Sequence, residues 1–577
     1  MSRLAPGRKG AAATTTAGSL RMPHVAGNGD APGQVHGAAR SPRWRTHRMM
    51  LAAHRGYDPQ HRGPWASHPC LVRSRRPFSA KTRSQARRAN PPSSPASLSL
   101  KMSVPSSAMD MLAPRAIQQH LEARLAEVLA DLPLSHGGGL QSVLLALPRT
   151  PATAPQLAGR QFQFRHAQRG ELYAGYGEAA AWQAVGPGRL NTLSSALPSA
   201  DWRRADADTT GFDAFAMLGF AATDTPAPPT AAASAAGAAD ALPNALLWVP
   251  EIGLICHDHT AALVFSTPLP ATPARVLARW RHLLRALIPA LYEPSPGPRP
   301  TARLRRAREE PDAAGWSRLV RDALAQIAAG PVAKVVLSRR LVVQGPREFD
   351  VARLLDALGC LFPSCQTVSL RRHGRSFVAA TPERLLGLSG DQLRVDAIAG
   401  TAGRGESLAE DARLRAGLLG CEKNRREHRF VIDAVRAALA DCCDDFRVPA
   451  TPRVLALSNA QHLWSPIEAR SRPGCSLFDL AARLHPTPAT NGQPRAAARA
   501  WLREAEPFPR GWYTGAAGIL RPNGDGELWV LLRCAQVGGA EAELFAGAGI
   551  VAGSDPAAEW RETEAKLAAM LSALRYA

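Results

Sequence analysis

Residues 141–147, 161–165, 171–173, 246–249 and 261–265 are short extended runs, each separated from the next by Gly, Pro or Ser. Punctuation of this kind predicts a meandering antiparallel sheet. The pattern resumes at 332–343, 367–370, 377–380 and 385–388, now mixed with helices. Helical periodicity is clearest in 116–132, where Ile117, Leu121, Leu125 and Leu129 recur every four residues, and it returns in 273–291, 351–361, 422–441 and 554–574. The longest apolar runs fall well short of 18 residues, so no membrane-spanning helix is expected. Sheet segments interleaved with helices predict an α/β chain of the α+β type.

Composition narrows the function classes. With 45% hydrophobic and 20% charged residues among 577, neither wholesale disorder nor a fibrous repeat fits. The net charge of +22 suggests a nucleic-acid binder until its distribution is considered: residues 1–101 hold 18 Lys and Arg against Asp30 and Asp58, a net of +16, which leaves +6 for the rest. That Arg-, Ser- and Pro-rich stretch is expected to be disordered. Three accounts of it stay open: a dispensable tail or wrongly assigned start, with Met102 or Met109 beginning the protein; an Arg-rich transit segment to an organelle; or a nucleic-acid arm. The nine cysteines form neither an even set nor a CxxC pair, and no secretory core follows Met1, so a reduced compartment, the cytoplasm, is expected. Residues 109–577 form the expected catalytic region, with a sheet half at 109–300, a low-complexity insertion at 223–244, and a motif-rich half at 310–575.

The last helix carries the first chemical signal. Ser554 or Asp555 caps it and Pro556 suits its first turn. Glu559, Glu562 and Lys566, at i, i+3 and i+7, share one face, which Met570 continues. In 422–441, Glu427 is read in line with Phe430, Val431 and Ala434. Acids on apolar stripes need a partner or a cation. Carboxylates on two helices without a Cys/His cluster suit Mg²⁺; surface acids in i,i+4 ion pairs are the plainer alternative. Residues 399–405 and 545–550 read as glycine-rich turns whose N–H groups face anions, though such turns are often nothing more. Neither matches a nucleotide-phosphate loop. Arg533, in an alternating strand expected over 527–537, Tyr513, His462 and Lys334 complete a polar set on apolar stretches.

Seven motifs occur in order: KVVLSR at 334–339, TPERL at 381–385, IAGT at 398–401, KNRREH at 423–428, LHPTPA at 484–489, RGWYTG at 510–515 and AGAGIVAGSDP at 546–556. Together they resemble the chorismate-utilising enzymes, and among these the isochorismate synthases. The resemblance implies one large domain of two packed antiparallel sheets flanked by helices, so the two halves are not separate folding units. It implies Lys334 as the base that activates water and Glu383 as the acid that protonates the departing 4-hydroxyl. Glu427 and Glu562 match magnesium-binding glutamates, with Glu559 reaching the ion through water; Asn424 stands where some members have an acid. Arg533, Lys566 and Tyr513 match positions that hold the substrate carboxylates, assisted by the backbone of Gly547 and Gly549. His462, Gly400, Thr401 and Ala489 complete the implied substrate contacts.

The reaction needs water deprotonated at C2 and hydroxide protonated at C4. That calls for a lysine lowered in pKa and a carboxylic acid kept protonated. Among relatives, Ala399 replaces the nucleophilic lysine of aminodeoxychorismate synthase, and Lys334 is the water-activating lysine that anthranilate synthase lacks, so no amidotransferase subunit is expected. Ala489, where salicylate synthase typically has Thr, favours isochorismate over salicylate as product. The implied partner is chorismate, without nucleic acid or membrane, in a monomer. The downstream route, to a siderophore, to salicylate or to menaquinone, stays open.

Overall fold

The computed structural model describes residues 113–199, 201–225, 242–294 and 301–577. The Arg-rich stretch 1–101, Met102, Met109, Cys70 and most of the insertion at 223–244 lie outside them. Two sheets dominate. One has 13 strands, in the order Arg305–Glu310, Lys334–Gln344, Glu541–Ile550, Cys534–Gly538, Arg375–Thr381, Gln366–Arg372, Gln161–His166, Glu171–Tyr176, Ile252–His257, Thr260–Pro268, Leu140–Ala146 and Trp202–Asp206, with Gly492–Gln493 paired to the second of these. The other has ten, in the order Cys443–Arg447, Ala460–Ser471, Gln392–Gly403, Arg384–Ser389, Gly526–Val530, Ala516–Leu520, Ala216–Phe220, Ala245–Val249 and Ala180–Ala184, with Arg453–Ala456 on the second. Both halves of the chain supply strands to both sheets: Gln161–His166 pairs with Gln366–Arg372, and Ala216–Phe220 with Ala516–Leu520. Pairing is antiparallel except where Leu140–Ala146 runs parallel to Trp202–Asp206.

The sheets pack face to face through Phe162, Phe164, Phe215, Trp248, Val368, Phe377 and Trp512, and helices cover the outside. Pro114–Asp131 shows why. Its Ile117, Leu121, Leu125 and Leu129 are each at most 1% exposed and pack with Pro273–Tyr292 against the first sheet. Truncating one such Leu to Ala costs about 2–5 kcal/mol, because the site collapses only partly. The terminal helix Pro556–Leu574 starts as its sequence requires, with Asp555 accepting from the Ala558 N–H and Pro556 in the first turn. Its Leu567, Met570 and Leu574 pack with helix Val351–Leu361 on the opposite end of the first sheet.

Four expectations change. The stretch 399–405 is mostly the end of strand Gln392–Gly403, and 545–550 lies inside strand Glu541–Ile550. Glycine is needed at 547 because the chains approach closely: a Cβ there would stand 2.7 Å from the Leu337 carbonyl oxygen and 2.8 Å from Tyr513 Oη. The strand expected over 527–537 breaks into Gly526–Val530 and Cys534–Gly538, with Arg533 between them at φ 47°. In helix Glu422–Leu439 the buried stripe is His428, Val431, Val435 and Leu439; Phe430 is 57% exposed, so Glu427 sits beside the apolar stripe and not within it. No helix among the described residues is long and apolar enough to cross a membrane.

Candidate active site

One cavity of about 340 Å³ is lined by Lys334, Glu383, Gly400, Thr401, Glu427, His462, Ala489, Tyr513, Arg533, Gly547, Gly549, Glu559, Glu562 and Lys566. All the candidate residues therefore meet, although they lie up to 232 positions apart, between Lys334 and Lys566. Lys334 opens strand Lys334–Gln344, whose neighbour aligns Val336 with Gly549 and Ser338 with Gly547. A Cβ on Gly549 would lie 3.0 Å from Lys334 Cε and 3.5 Å from Nζ, so glycine leaves room for the lysine tip. Glu383 sits in the tight connection between two strands; its N–H donates to Thr381 Oγ1 at 3.3 Å and its carbonyl accepts from the Val530 N–H at 3.0 Å. Gly400 forms a bulge at φ +76°, which sets Thr401 opposite His462.

Opposed acid–base shifts mark Lys334 and Glu383. Burial lowers the Lys334 ammonium below its ordinary value, against the nearby Glu427, Glu562 and Glu383 carboxylates. Burial raises Glu383 to about 8, reinforced by Asp396 and opposed by Arg533, Lys334 and Lys566. Within one cavity, burial thus pushes an amine toward its neutral form and a carboxyl toward its protonated form. His462 is held neutral, at about 3, by burial and by the Arg533 and Lys566 cations. Arg533 leaves Nε and Nη1 buried without an oxygen or nitrogen acceptor in the fold, the Cys365 sulfur being their neighbour, and these donors suit a carboxylate entering the cavity. Tyr513 stacks on Phe545 with ring centroids 5.4 Å apart and planes 14° from parallel.

The acid wall suits a hard cation. Glu427 comes from helix Glu422–Leu439, and Glu559 and Glu562 from the terminal helix. Burial and then the neighbouring Glu562 raise Glu559, a strain that a cation would relieve. Glu562 is lowered by Lys566, whose Nζ lies 2.8 Å from Glu562 Oε1 and donates to the Gly547 carbonyl at 2.8 Å. Among the described residues no three metal-ligating side chains already converge on a point. Oxygen donors on two helices, leaving positions for water and substrate, fit Mg²⁺.

Lys423, Thr490, Thr514 and Phe545 also line the cavity, unforeseen from sequence. Lys423 opens the KNRREH motif, and Thr490 and Phe545 adjoin motifs, which was the available signal. Thr514 lies inside the RGWYTG motif, but its conformation was not signalled: it is 2% exposed at φ 62°, which is rare for a β-branched residue. A larger hollow of about 720 Å³, around Arg169, Tyr173, Arg384 and Trp529, contains none of the candidate residues. Chemistry, not size, locates the site.

A family model described as chorismate binding enzyme matches residues 149–575. The chain belongs to the chorismate binding enzyme family. It is 36% identical over 307 residues to the salicylate biosynthesis isochorismate synthase of Pseudomonas aeruginosa, covering 53% of this chain and 64% of that one. It is 35% identical over 268 residues to isochorismate synthase MenF of Bacillus subtilis, covering 46% and 57%. The match thus spans less than two thirds of either relative. The solved structure of MenF, the menaquinone-specific isochorismate synthase of Escherichia coli, superposes with a TM-score of 0.65 at 24% identity, over 80% of this chain and 99% of that one, a likeness of fold.

Proposed function

We propose that this chorismate binding enzyme is an isochorismate synthase, an isomerase that adds water at C2 of chorismate and expels the C4 hydroxyl. The observation that carries this reading is the pairing, in one cavity, of a lysine lowered by burial with a glutamic acid raised to about 8. The names of the relatives support it.

Neutral Lys334 takes a proton from water as the water oxygen bonds to C2. Glu383 gives its proton to the C4 oxygen as the C4–O bond breaks, so one water enters and one leaves. Lys334 ends as ammonium and Glu383 as carboxylate, and a proton exchange resets them. Arg533, with two buried donors lacking an oxygen or nitrogen acceptor, and Tyr513 and Lys566 bind the substrate carboxylates, while His462 and Thr401 steady Arg533. Glu427, Glu562 and Glu559 would hold Mg²⁺, which would supply the positive charge that neutralises the ring carboxylate the acid wall would otherwise repel.

Incubating the full chain with chorismate and Mg²⁺ and resolving the products by chromatography and proton NMR tests the proposal. Isochorismate alone is the expected product. Salicylate with pyruvate would make the chain a salicylate synthase, retaining Lys334 and Glu383 but overturning the reading of Ala489; no consumption of chorismate would overturn the function altogether.

A further inference from the structure

Arg510 does not line the cavity, yet its guanidinium reaches three of the chain segments that do. Its Nη2 donates to the Val336 carbonyl at 2.6 Å, and its Nη1 donates to the Thr490 carbonyl at 2.6 Å and to Thr514 Oγ1 at 3.5 Å. The remaining donors go to Glu506: Nε to Oε2 at 2.7 Å and Nη2 to Oε1 at 2.6 Å. All five N–H groups of the fork are thereby used. Both side chains are less than a tenth exposed, at 8% and 7%. Burial works against the Arg510 charge, and Glu506 outweighs it and holds the guanidinium above its ordinary value.

The three segments matter for what stands next to each acceptor. Val336 is two residues from Lys334, Thr490 adjoins Ala489, and Thr514 adjoins Tyr513. The Val336 N–H donates to the Asn491 carbonyl at 2.9 Å, so strand and turn are tied twice. Thr514 is held in its left-handed conformation by the Leu531 carbonyl, which accepts its N–H, and by His485 Nε2, 2.8 Å from its carbonyl oxygen. A strained residue persists only where its surroundings over-determine it. We propose that Arg510, oriented by Glu506, is a positioning residue that sets the spacing between the Lys334 strand, the Ala489 turn and the Tyr513 turn, and hence the placement of the base relative to the bound ring. A lysine can supply the charge but not the planar fork that spans these acceptors. A displacement of about 1 Å at a reacting centre costs on the order of 100-fold in rate.

The activity readout rests on the proposed isochorismate synthase function, and the test separates the two. In the double variant Arg510→Met/Glu506→Leu, apolar groups replace a buried ion pair, a change that often preserves stability. The expected result is a melting temperature near wild type, with kcat lowered about 30- to 100-fold and KM changed less than about threefold. A folded double variant with kcat and KM within twofold of wild type would overturn the proposal. If the double variant does not fold, Glu506→Gln decides by the same measurements: a fall in kcat of about tenfold at unchanged melting supports the clamp, and values within twofold sink it. If wild type itself does not turn over chorismate, the proposed function fails, and hydrogen exchange at the Val336 and Asn491 amides reads the clamp directly. Exchange at least tenfold faster in whichever variant folds supports it, and unchanged exchange overturns it.

Discussion

Arg533 Nη2 donates to His462 Nε2 at 3.0 Å, and that contact determines the state of the imidazole. A guanidinium cannot accept, so Nε2 is the acceptor and the proton sits on Nδ1, which donates to Thr401 Oγ1 at 3.2 Å. The histidine is therefore a neutral strut behind Arg533. Its NMR signals, assigned with a His462→Gln variant, should not titrate between pH 5 and 8. A midpoint near 6.5 would contradict the arrangement.

His166 and His428 are lowered to about 4, and His462 and His485 to about 3, chiefly by burial. Below the ordinary value of 6.5 the unfolded chain binds protons that the folded chain refuses. Stability that these groups contribute at neutral pH is therefore lost as pH falls from 6.5 toward 4, at a slope approaching about 1.4 kcal/mol per pH unit for each histidine. Urea unfolding at pH 7.5, 6 and 5 should show this steep acid limb. His428→Asn, which removes a group bonded to Ser465, should make it shallower.

Glu383→Gln should lower kcat by about 10²- to 10⁴-fold, the usual range for a positioned acid. It should also stabilise the protein in alkali. The folded-state value of about 8 lies above that of the unfolded chain, so wild type loses stability as pH rises through 8, and glutamine, which resembles the protonated acid, does not. Melting curves at pH 5 and pH 9 check the sign: the variant should gain on wild type only at the higher pH. In wild type, kcat/KM should fall above about pH 8 as Glu383 of the free enzyme ionises.

Lys334→Ala should abolish water addition, lowering kcat by roughly 10³-fold, while the protein stays folded. Burial holds the Lys334 ammonium below its ordinary value, so wild type carries a stability penalty below that value that grows as pH falls, and alanine removes it. A retained turnover number would refute the role of base. Gly549→Ala provides a milder probe, since its Cβ would press on Lys334 Cε at 3.0 Å; kcat should drop about tenfold with little change in melting temperature.

Chelation with EDTA should stop turnover, and Mg²⁺ should restore it. Binding to the folded state alone also raises stability, by about 2.7 kcal/mol at 100 times Kd. Mg²⁺ should therefore raise the melting temperature of wild type and do so much less in Glu427→Gln or Glu562→Gln. An equal rise in all three proteins would place the cation elsewhere.

The local sequence encoded the most periodic of the elements. Leu residues four apart defined helix Pro114–Asp131, and Asp555 followed by Pro556 defined the start of the terminal helix, because capping and helical periodicity act over a few residues. Spacing also placed Glu559, Glu562 and Lys566 on one helical face, and the ordered motifs indicated which side chains would meet. Other features depended on distant neighbours. Residues 545–550 looked like a turn, yet they run as strand because they pair antiparallel with residues 335–340, a segment more than 200 positions away. The backbone inversion at Arg533, the strain at Thr514 and the anchoring of three segments by Arg510 left no local trace.

The amino-acid order was enough to define the helices of plainest periodicity and the acids and bases the chain possesses, since those depend on side-chain type and short-range spacing. Tertiary structure alone decided that Lys334 and Glu383 titrate in opposite directions. Those shifts come from burial and from charges carried on remote strands and helices, and such desolvation exists only once the sheets have packed.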